Sequence, residues 1–468
     1  MQKISELMRT ICAISTAPGI GGIAVIRISG DDAIPCVDSV FRGHHPLSEA
    51  SPNTIRHGEI IHNGEVVDEV LCSVFRAPRS FTGEDTVEIA CHGSMYIQQT
   101  IIQTLIEVGC VQAGPGEFTK RAFLNGKMDL TEAEAVADLI AAQSKAEKDL
   151  ALTHLKGGIS TELKQLREKL LTLTSLLELE LDFADHEELE FADRSELAEL
   201  TETIHAKLTS LLDSFKLGNA VKNGISVAII GPTNAGKSTL LNTLLGEERA
   251  IVSDIPGTTR DSIEDCLIIN GIQYRFIDTA GLRETTDTIE NIGISRAKAA
   301  AEKAQIILFV QSLTDKASQA DEKLIAEWNN AGKKVLRVMN KSDLYPAFSA
   351  ENESNRIGGS AENESNTIVI SAKFDEPNTL RQTISDAAGI NANQVALAPT
   401  ISSARHYDAL FRAREAIEHV RQGLHNELSG EFLSLDLHDC LNAIGEITGE
   451  ISNDEVLANI FSKFCIGK

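Results

Sequence analysis

The chain has 468 residues, enough for two or three domains, and 42% of them are hydrophobic, which is ample for buried cores. Its formal net charge of −25 argues against a general nucleic-acid binder, because attraction to phosphates needs clustered lysine and arginine. Eight scattered cysteines without a Cys-x-x-Cys pair, no signal peptide and no apolar run of bilayer length predict a cytoplasmic protein without a zinc site or membrane contact.

The first part of the chain, residues 1–126, carries mainly β signals. Short apolar or alternating runs there are typical of strands, and one longer run has helical spacing. The predicted strands are Ile23–Ile28, Glu59–His62, Val66–Phe75 and Thr86–Ala90, and the predicted helix is Met95–Val108.

From Asp129 onward the pattern becomes helical. Thr131-Glu-Ala-Glu134 has the spacing of a capping box before an alanine-rich run. Leu163–Leu181 keeps leucines on one stripe, which is more often a helix core than a binding site. The acidic stretch Asp182–Glu196 fits a solvated segment, and Ile401–Lys468 is helical again.

The segment Gly231-Pro-Thr-Asn-Ala-Gly-Lys-Ser238 fits the phosphate-loop pattern. An apolar run, Ile225–Ile230, precedes it and a helical run follows, so the motif has the strand–turn–helix context that a chance glycine turn lacks. In such a loop the glycines let backbone amides approach phosphate oxygens. Lys237 can then reach the β- and γ-phosphates, and Ser238 can ligate Mg²⁺.

Two later motifs specify the base. Asn340-Lys-Ser-Asp343 follows a buried-strand pattern, and the Asp343 carboxylate can accept two hydrogen bonds from the guanine N1 and N2 groups. Ser371-Ala-Lys373 follows the short strand pattern Thr367–Ile370 and can offer backbone amides to guanine O6. Each motif alone is weak, but their order, each after a strand, predicts a Ras-like GTPase domain with a mostly parallel sheet.

Between these motifs lie the segments that would sense the γ-phosphate. Asp278-Thr-Ala-Gly281 follows a strand pattern, where Asp278 can hold Mg²⁺ through water. Gly257-Thr-Thr259 resembles a first switch, in which Thr259 would complete the Mg²⁺ shell. Asn270-Gly271 is the favoured dipeptide of a type I′ hairpin turn.

The residue that usually orients the attacking water is missing. Leu282 directly follows the Asp-x-x-Gly element, where many Ras-like proteins place a glutamine. Acidic candidates for that task are Glu284, Asp287 and Glu290, although a solvated surface fits them too. Asn234 fits both a ligand for a monovalent cation and a turn residue that tolerates unusual backbone angles.

A polar heptapeptide occurs twice between the two base-recognition motifs. Ser349-Ala-Glu-Asn-Glu-Ser-Asn355 recurs as residues 360–366 and has no apolar anchor. It is interpreted as a surface insertion rather than a functional element.

Several longer motifs together identify a family. They include Asp254-Ile-Pro-Gly-Thr-Thr-Arg-Asp261, Ser80-Phe-Thr-Gly-Glu-Asp85, Pro115–Asn125 and the tail Phe464-Cys-Ile-Gly-Lys468. Over essentially its whole length the chain resembles the MnmE (TrmE) family of tRNA modification GTPases, within the TrmE-Era-EngA type. GTPase motifs alone would not separate this family from ribosome-assembly relatives, but the two flanking regions do.

The resemblance implies four chain segments. They are an N-terminal α+β folate-binding-like and dimerisation domain (1–126), two parts of a discontinuous helical domain (127–221 and 385–468), and an inserted Ras-like GTPase domain (222–384). The fold class is therefore multidomain, α/β plus all-α.

The resemblance also implies potassium-stimulated hydrolysis in a dimer of GTPase domains. Catalysis would involve Lys237, Asn234 and Glu290, the last matching the family's water-orienting glutamate. Mg²⁺ would be held by Ser238 and Thr259, and K⁺ by Asn234, Ser253, Ile255 and Thr258. The residues expected to contact GTP are Asn234, Ala235, Gly236, Lys237, Ser238, Thr239, Ser253, Asp254, Ile255, Pro256, Gly257, Thr258, Thr259, Asp278, Thr279, Ala280, Gly281, Asn340, Lys341, Ser342, Asp343, Ser371, Ala372 and Lys373.

A second site follows from the same resemblance. The family's N-terminal domain resembles folate-binding domains of one-carbon transfer enzymes, so a 5-formyl- or methylene-tetrahydrofolate is the expected ligand. By motif position Arg27, Glu88, Lys127 and Lys468 would contact it, although each also fits an ordinary surface charge. Cys465 fits an acidified nucleophile beside Lys463 and Lys468, or a supporting residue packed near phenylalanines, and we favour the second.

The resemblance implies a homodimer that works with the flavoprotein MnmG, as a heterotetramer, on the wobble uridine of certain tRNAs. Given the acidic composition, either a local basic face of this chain or the partner makes most of the tRNA contact, and we favour the partner. Two rival functions are a ribosome-assembly switch, which would usually carry a basic appendage, and a folate-dependent transferase with a regulatory GTPase insert.

Overall fold

A computed structural model describes residues 9–182, 194–246, 265–277, 298–313, 318–344, 367–390, 399–426, 428–451, 454–462 and 464–467. The contacts divide the chain into two compact units. The first contains Met1–Ile140, His154–Ile204 and Glu415–Lys468, and the second contains Ala141–Thr153 and His205–Arg414.

The helices of both units account for the segments with helical spacing. They are α1 (Ala33–Asp38), α2 (Met95–Glu107), α3 (Glu117–Leu124), α4 (Leu130–Ala141), α5 (Lys145–Leu155), α6 (Gly158–Asp182), α7 (Arg194–Asn223), α8 (Lys237–Leu245), α9 (Gln319–Asn330), α10 (Asn378–Ala388), α11 (Ala404–His425), α12 (Gly430–Thr448) and α13 (Asp454–Ser462). Short 3₁₀ turns occur at Leu47–Glu49 and Ser342–Leu344.

The first unit is built around a seven-stranded sheet in the order β3-β4-β5-β6-β2-β1-β7. Its strands are β1 (Ile11–Ile14), β2 (Gly21–Ser29), β3 (Phe41–Gly43), β4 (Thr54–His62), β5 (Glu65–Phe75), β6 (Thr86–Gly93) and β7 (Val111–Gln112). Neighbours are antiparallel except β1 and β7. The predicted strands are confirmed, whereas β1, β3 and β7 were missed because they are too short to show periodicity.

Alternation along β2 and β6 separates the two faces of this sheet. Ile26, Ile28, Val87 and Ile89 point into a core that helices α1 and α2 also line. Residues of the opposite parity, including Arg27 and Glu88, therefore lie on the other face, side by side in register. This register places two predicted site residues together.

The leucine stripe of α6 is confirmed as core. Leu166, Leu170, Leu173 and Leu177 are all at most 2% exposed, and α6 packs against α12 in the first unit. The capping prediction is wrong by two residues. The reciprocal pair is Asp129 and Glu132: Glu132 N donates to Asp129 Oδ1 at 3.0 Å and Asp129 N donates to Glu132 Oε2 at 2.8 Å.

The second unit contains a six-stranded sheet in the order β13-β12-β11-β8-β10-β9. Its strands are β8 (Ile225–Ile230), β9 (Asp265–Ile269), β10 (Ile272–Phe276), β11 (Ile306–Ser312), β12 (Lys334–Asn340) and β13 (Thr367–Val369). All pairings are parallel except β9 with β10. Their carboxyl ends meet at one edge of the sheet, which is where parallel α/β folds bind ligands.

The predicted hairpin between β9 and β10 is confirmed. Asn270 and Gly271 have φ angles of +51° and +82°, as a type I′ turn requires at both central positions. The tip also contacts α10, because Asn270 Nδ2 lies 3.0 Å from Ser385 Oγ.

Within the described parts of the chain, none of the helices combines the length and the apolar character that crossing a membrane requires. All eight cysteines are free thiols.

Candidate functional site

The phosphate loop lies between the buried strand β8 and helix α8. The backbone of Gly231 has φ +152°, and a Cβ there would collide with the carbonyl of Val310. Gly236 has φ +93°, and a Cβ there would run into the amide of Asn340. Leu240, Leu241 and Leu244 anchor α8 in the core, so the loop is held at both ends. Both glycines are therefore required by close approach as well as by backbone angle.

Lys237 opens helix α8 with its ammonium turned back over the loop. Its Nζ donates to the carbonyls of Gly231 at 2.9 Å and Pro232 at 2.7 Å. Burial lowers the pKa of Lys237. Ser238 follows it, half-buried in the first helical turn, where a hydroxyl oxygen suits a hard cation such as Mg²⁺.

Asn340 joins three of the predicted motifs. Its Nδ2 donates to Ala235 O at 2.9 Å, and its Oδ1 accepts from Ala372 N at 2.9 Å and from Lys341 N at 2.8 Å. The side chain is only 2% exposed. One buried amide thus fixes the phosphate loop against both base-recognition loops.

The two base-recognition loops also contact each other directly. Ser371 Oγ donates to Asp343 Oδ1 at 2.6 Å, which orients the exposed carboxylate predicted to bind guanine. Ser342 and Ala372 are buried, and Lys373 lies over the exposed ring of Phe374 at 5.0 Å. The predicted residues Lys341, Ser342, Asp343, Ser371, Ala372 and Lys373 are therefore brought together.

Two residues of this site were missed by sequence reasoning. Asp375 Oδ2 accepts from Ser371 N at 2.7 Å, and Thr243 Oγ1 donates to Ala372 O at 2.6 Å. An aspartate four residues after Ser371 was an available signal, because Asp side chains often accept hydrogen bonds from backbone N–H groups three or four residues earlier. Thr243 carried none, because its contact depends on how α8 meets the following loop.

Asn234 has φ +61° and an exposed side chain. Asparagine tolerates this left-handed conformation, so the turn interpretation of Asn234 is satisfied. Its role as a potassium ligand remains a prediction. Thr239, next to Ser238, is exposed on α8.

The switch predictions lie outside the described residues. They concern Ser253, Asp254, Ile255, Pro256, Gly257, Thr258, Thr259, Asp278, Thr279, Ala280, Gly281, Leu282, Glu284, Asp287 and Glu290. The repeated heptapeptide, the acidic stretch from 183 to 193, Lys463 and Lys468 also lie outside them.

In the first unit, Arg27 and Glu88 form one ion pair on neighbouring strands. Arg27 Nη2 lies 2.8 Å and Nε 2.9 Å from Glu88 Oε1. The guanidinium also stacks near the rings of Phe81 at 5.3 Å and Phe118 at 5.7 Å. The two residues therefore act as a single half-buried unit rather than as the separate surface charges that their sequence positions also allowed.

Lys127 contacts the segment of residues 77–85, to which Phe81 belongs. Its Nζ donates to Pro78 O at 2.9 Å, and its stem passes Gly83. We call residues 77–85 the strap, because they carry Phe81 to Arg27 and receive Lys127. Phe81 and Phe118 were missed as site residues, although both lie within motifs that the sequence singled out.

The C-terminal tail docks on the same domain. Pro115 and Ile466 form an isolated antiparallel β-bridge, and Gly116 N donates to Cys465 O at 3.3 Å. Ser15 Oγ donates to Gly467 O at 3.0 Å. Phe464 packs against Phe461, but Cys465 is exposed and is therefore not the packed residue that we favoured. Its supporting role remains a prediction. Among the described residues, no group of histidine, cysteine and carboxylate side chains has the arrangement of a metal site.

Two models of known protein families match this chain. Residues 10–127 match the model of the GTP-binding protein TrmE N-terminus, and residues 130–465 match the MnmE helical domain. The second match runs across the phosphate loop. The four predicted segments and their limits remain a prediction.

Curated relatives match the whole chain. The tRNA modification GTPase MnmE of Parabacteroides distasonis is 52% identical over 98% of this chain and 100% of its own length. Those of Bacteroides thetaiotaomicron and Flavobacterium johnsoniae are 49% and 47% identical, each over 98% of this chain and 99% of theirs. The chain therefore belongs to the MnmE family of tRNA modification GTPases.

Proposed function

We propose that this chain is a potassium-stimulated GTPase that modifies the wobble uridine of certain tRNAs together with a flavoprotein partner. The modification adds an aminomethyl or carboxymethylaminomethyl group at C5 and takes its carbon from a tetrahydrofolate. The observation that supports the proposal is that one chain carries two arrangements of contacts. Asn340 joins the phosphate loop to the base-recognition loops, and Arg27 forms an ion pair with Glu88 on the N-terminal sheet. Family membership supports GTP and Mg²⁺ binding and a role in tRNA modification.

The proposed binding of GTP follows from the geometry of the phosphate loop and the two base-recognition loops. Asn340 holds the phosphate loop and the base loops in one arrangement, so the β-phosphate and guanine can be bound together. Asp343, oriented by Ser371, distinguishes guanine from adenine because it accepts two hydrogen bonds. Ser238 and Thr259 would hold Mg²⁺, which neutralises charge that develops on the phosphates.

The hydrolytic step requires a replacement for the missing glutamine. Leu282 cannot orient water, so Glu290 takes that task in the proposal. Asn234, Ser253, Ile255 and Thr258 would hold a potassium ion, which supplies positive charge beside the phosphates where an arginine finger would otherwise act. A second copy of the GTPase domain closes over the nucleotide in this scheme.

The folate half rests on the face of the N-terminal sheet that carries Arg27 and Glu88. The Nε and Nη2 groups of Arg27 contact Glu88, so its Nη1 group can donate to a ligand oxygen in the proposed site. The half-buried Phe81 provides an aromatic ring beside it for the flat pterin, whereas the fully buried Phe118 supports the guanidinium from the core. Lys127 and Lys468 would supply charge for the glutamate-tail carboxylates.

The proposed role of the partner follows from the net charge of this chain. A net charge of −25 disfavours broad contact with tRNA phosphates, so the flavoprotein MnmG would provide most of that contact in a heterotetramer built on a homodimer of this chain. The proposed setting is the cytoplasm, where tRNA, folates and GTP occur together.

The decisive test is mass analysis of wobble uridines in cells that lack this protein. We expect the C5 group to disappear from the affected tRNAs and to return when the gene is restored. Normal modification in its absence would contradict the proposal and favour a ribosome-assembly switch.

The folate site is tested by binding. Replacing Arg27 with alanine should weaken 5-formyl-tetrahydrofolate binding about 10- to 100-fold, because it removes a charge-assisted contact and leaves Glu88 unpaired; such contacts contribute about 1.5–3 kcal/mol. Calorimetric titration of the purified protein measures this. Arg42→Ala removes an exposed ion pair with Glu59 in the same sheet and should leave the affinity unchanged. Equal affinity for Arg27→Ala and the wild type would rule out this pocket.

A further inference from the structure

A buried arginine contacts the strap next to the candidate folate site. Arg121 on α3 is 1% exposed, the most enclosed charged side chain among the described residues. Its Nη1 lies 3.2 Å from Glu84 Oε1, and its Nη2 lies 3.0 Å from Glu117 Oε1 and 2.8 Å from Arg9 O. A charge this deeply buried is tolerated only because several acceptors surround it.

The first of these contacts fixes the strap. Glu84 belongs to the strap, and its second oxygen accepts from Ser29 Oγ at 2.7 Å. Asn125 Nδ2 donates to Thr82 O at 2.8 Å, which pins the same segment from the end of α3. Phe81, which packs on Arg27, directly precedes the pinned Thr82 and lies three residues before Glu84, so the position of its ring depends on both anchors.

The second contact fixes the turn that receives the C-terminal tail. Glu117 Oε2 accepts from Gly114 N at 2.8 Å. The next residues, Pro115 and Gly116, hold Ile466 and Cys465. One guanidinium therefore connects the strap on one side with the tail-binding turn on the other.

We propose that Arg121 is a positioning residue of the one-carbon site, holding Phe81 against Arg27 through Glu84 and seating the C-terminal tail through Glu117. The inference rests on the proposed folate function. Arginine is required because its planar fork presents donors in several fixed directions, whereas a lysine ammonium is a point charge on a flexible stem. Arg121→Lys keeps the charge but cannot span both carboxylates and the carbonyl of Arg9.

The test uses the full-length protein and three variants: Arg121→Lys, Glu84→Gln and the matched control Arg42→Lys. We expect Arg121→Lys to weaken 5-formyl-tetrahydrofolate binding at least tenfold, Glu84→Gln to weaken it by a smaller factor, and Arg42→Lys to leave it unchanged. In a Phe81→Ala background, Arg121→Lys should lose most of its effect, because the residue it positions is gone. Full additivity of the two changes, or unchanged affinity in Arg121→Lys, would overturn the inference.

Hydrogen exchange provides a second, ligand-free measurement. Amides of the strap and of residues 464–467 should exchange about tenfold faster in Arg121→Lys, while those of β4 and β5 keep their wild-type rates. Faster exchange throughout the N-terminal sheet would make Arg121 an ordinary structural residue and overturn the inference. If the wild type binds no folate, the proposed function fails, and the exchange pattern alone then decides whether Arg121 positions the strap and tail.

Discussion

Replacing Glu290 with alanine should leave GTP affinity unchanged and slow hydrolysis about 10²- to 10⁴-fold, the usual contribution of a group that positions or deprotonates a nucleophile. The reason is the apolar Leu282 at the place where related GTPases orient water with glutamine. Since Leu282 offers no polar side chain there, we expect Glu290, which matches the family pattern, to orient the water. Single-turnover phosphate release at saturating GTP and K⁺ measures the effect.

The matched control is Glu284→Ala, which removes a carboxylate from the same predicted switch. Its turnover should stay within a few-fold of the wild type, because Glu290 and not Glu284 matches the family's water-orienting glutamate. Turnover of the wild type should also fall when Na⁺ replaces K⁺. Wild-type rates in Glu290→Ala at saturating K⁺ would remove Glu290 from the mechanism, and equal rates in the two salts would remove the potassium ion.

Replacing Asn340 with alanine should weaken binding of GDP and GTP by about 30-fold or more. The change leaves Ala235 O and Ala372 N buried without the partner they have now, and each such group costs about 1–3 kcal/mol. About 2 kcal/mol already corresponds to that factor, at 1.4 kcal/mol for each tenfold. Titration with a fluorescent guanine nucleotide measures the loss.

Asn330→Ala is the control, since Asn330 is exposed at the end of α9 in the same unit. It should bind nucleotide as the wild type does. Because Asn340 acts within the second unit, folate binding to Asn340→Ala should not change. A nucleotide affinity within threefold of the wild type would mean that the phosphate loop does not depend on the Asn340 bridge.

The sequence predicted the conformation of the phosphate loop because that conformation depends on neighbouring residues. Gly231 and Gly236 occupy backbone angles and close contacts that other residues cannot adopt, so the motif constrains the structure directly. The same holds for Asn270-Gly271, whose turn type follows from two positive φ angles. The leucine stripe of α6 was equally clear, since helical spacing alone assigns it to a core.

The capping box at the start of α4 was predicted at the wrong residues, because sequence spacing alone did not fix where the helix begins. Thr131 and Glu134 have the right spacing, yet Asp129 and Glu132 make the reciprocal bonds because the helix begins at Leu130. Thr131 Oγ1 instead donates to Asp129 Oδ1 at 2.7 Å and lies 2.6 Å from Ser160 Oγ on another helix. The Thr131 hydroxyl therefore has one local and one long-range partner, and only the second could not be predicted from the local sequence.

By itself, the sequence determined the order of motifs, the guanine specificity and the family, because each depends on residues close together in the chain. Only the tertiary structure decided that Arg27 and Glu88 are one ion pair, and that Asn340 and Arg121 each connect segments far apart in sequence. Such contacts depend on strand register and on helix placement. These follow from the burial of many side chains at once and cannot be read from any single motif.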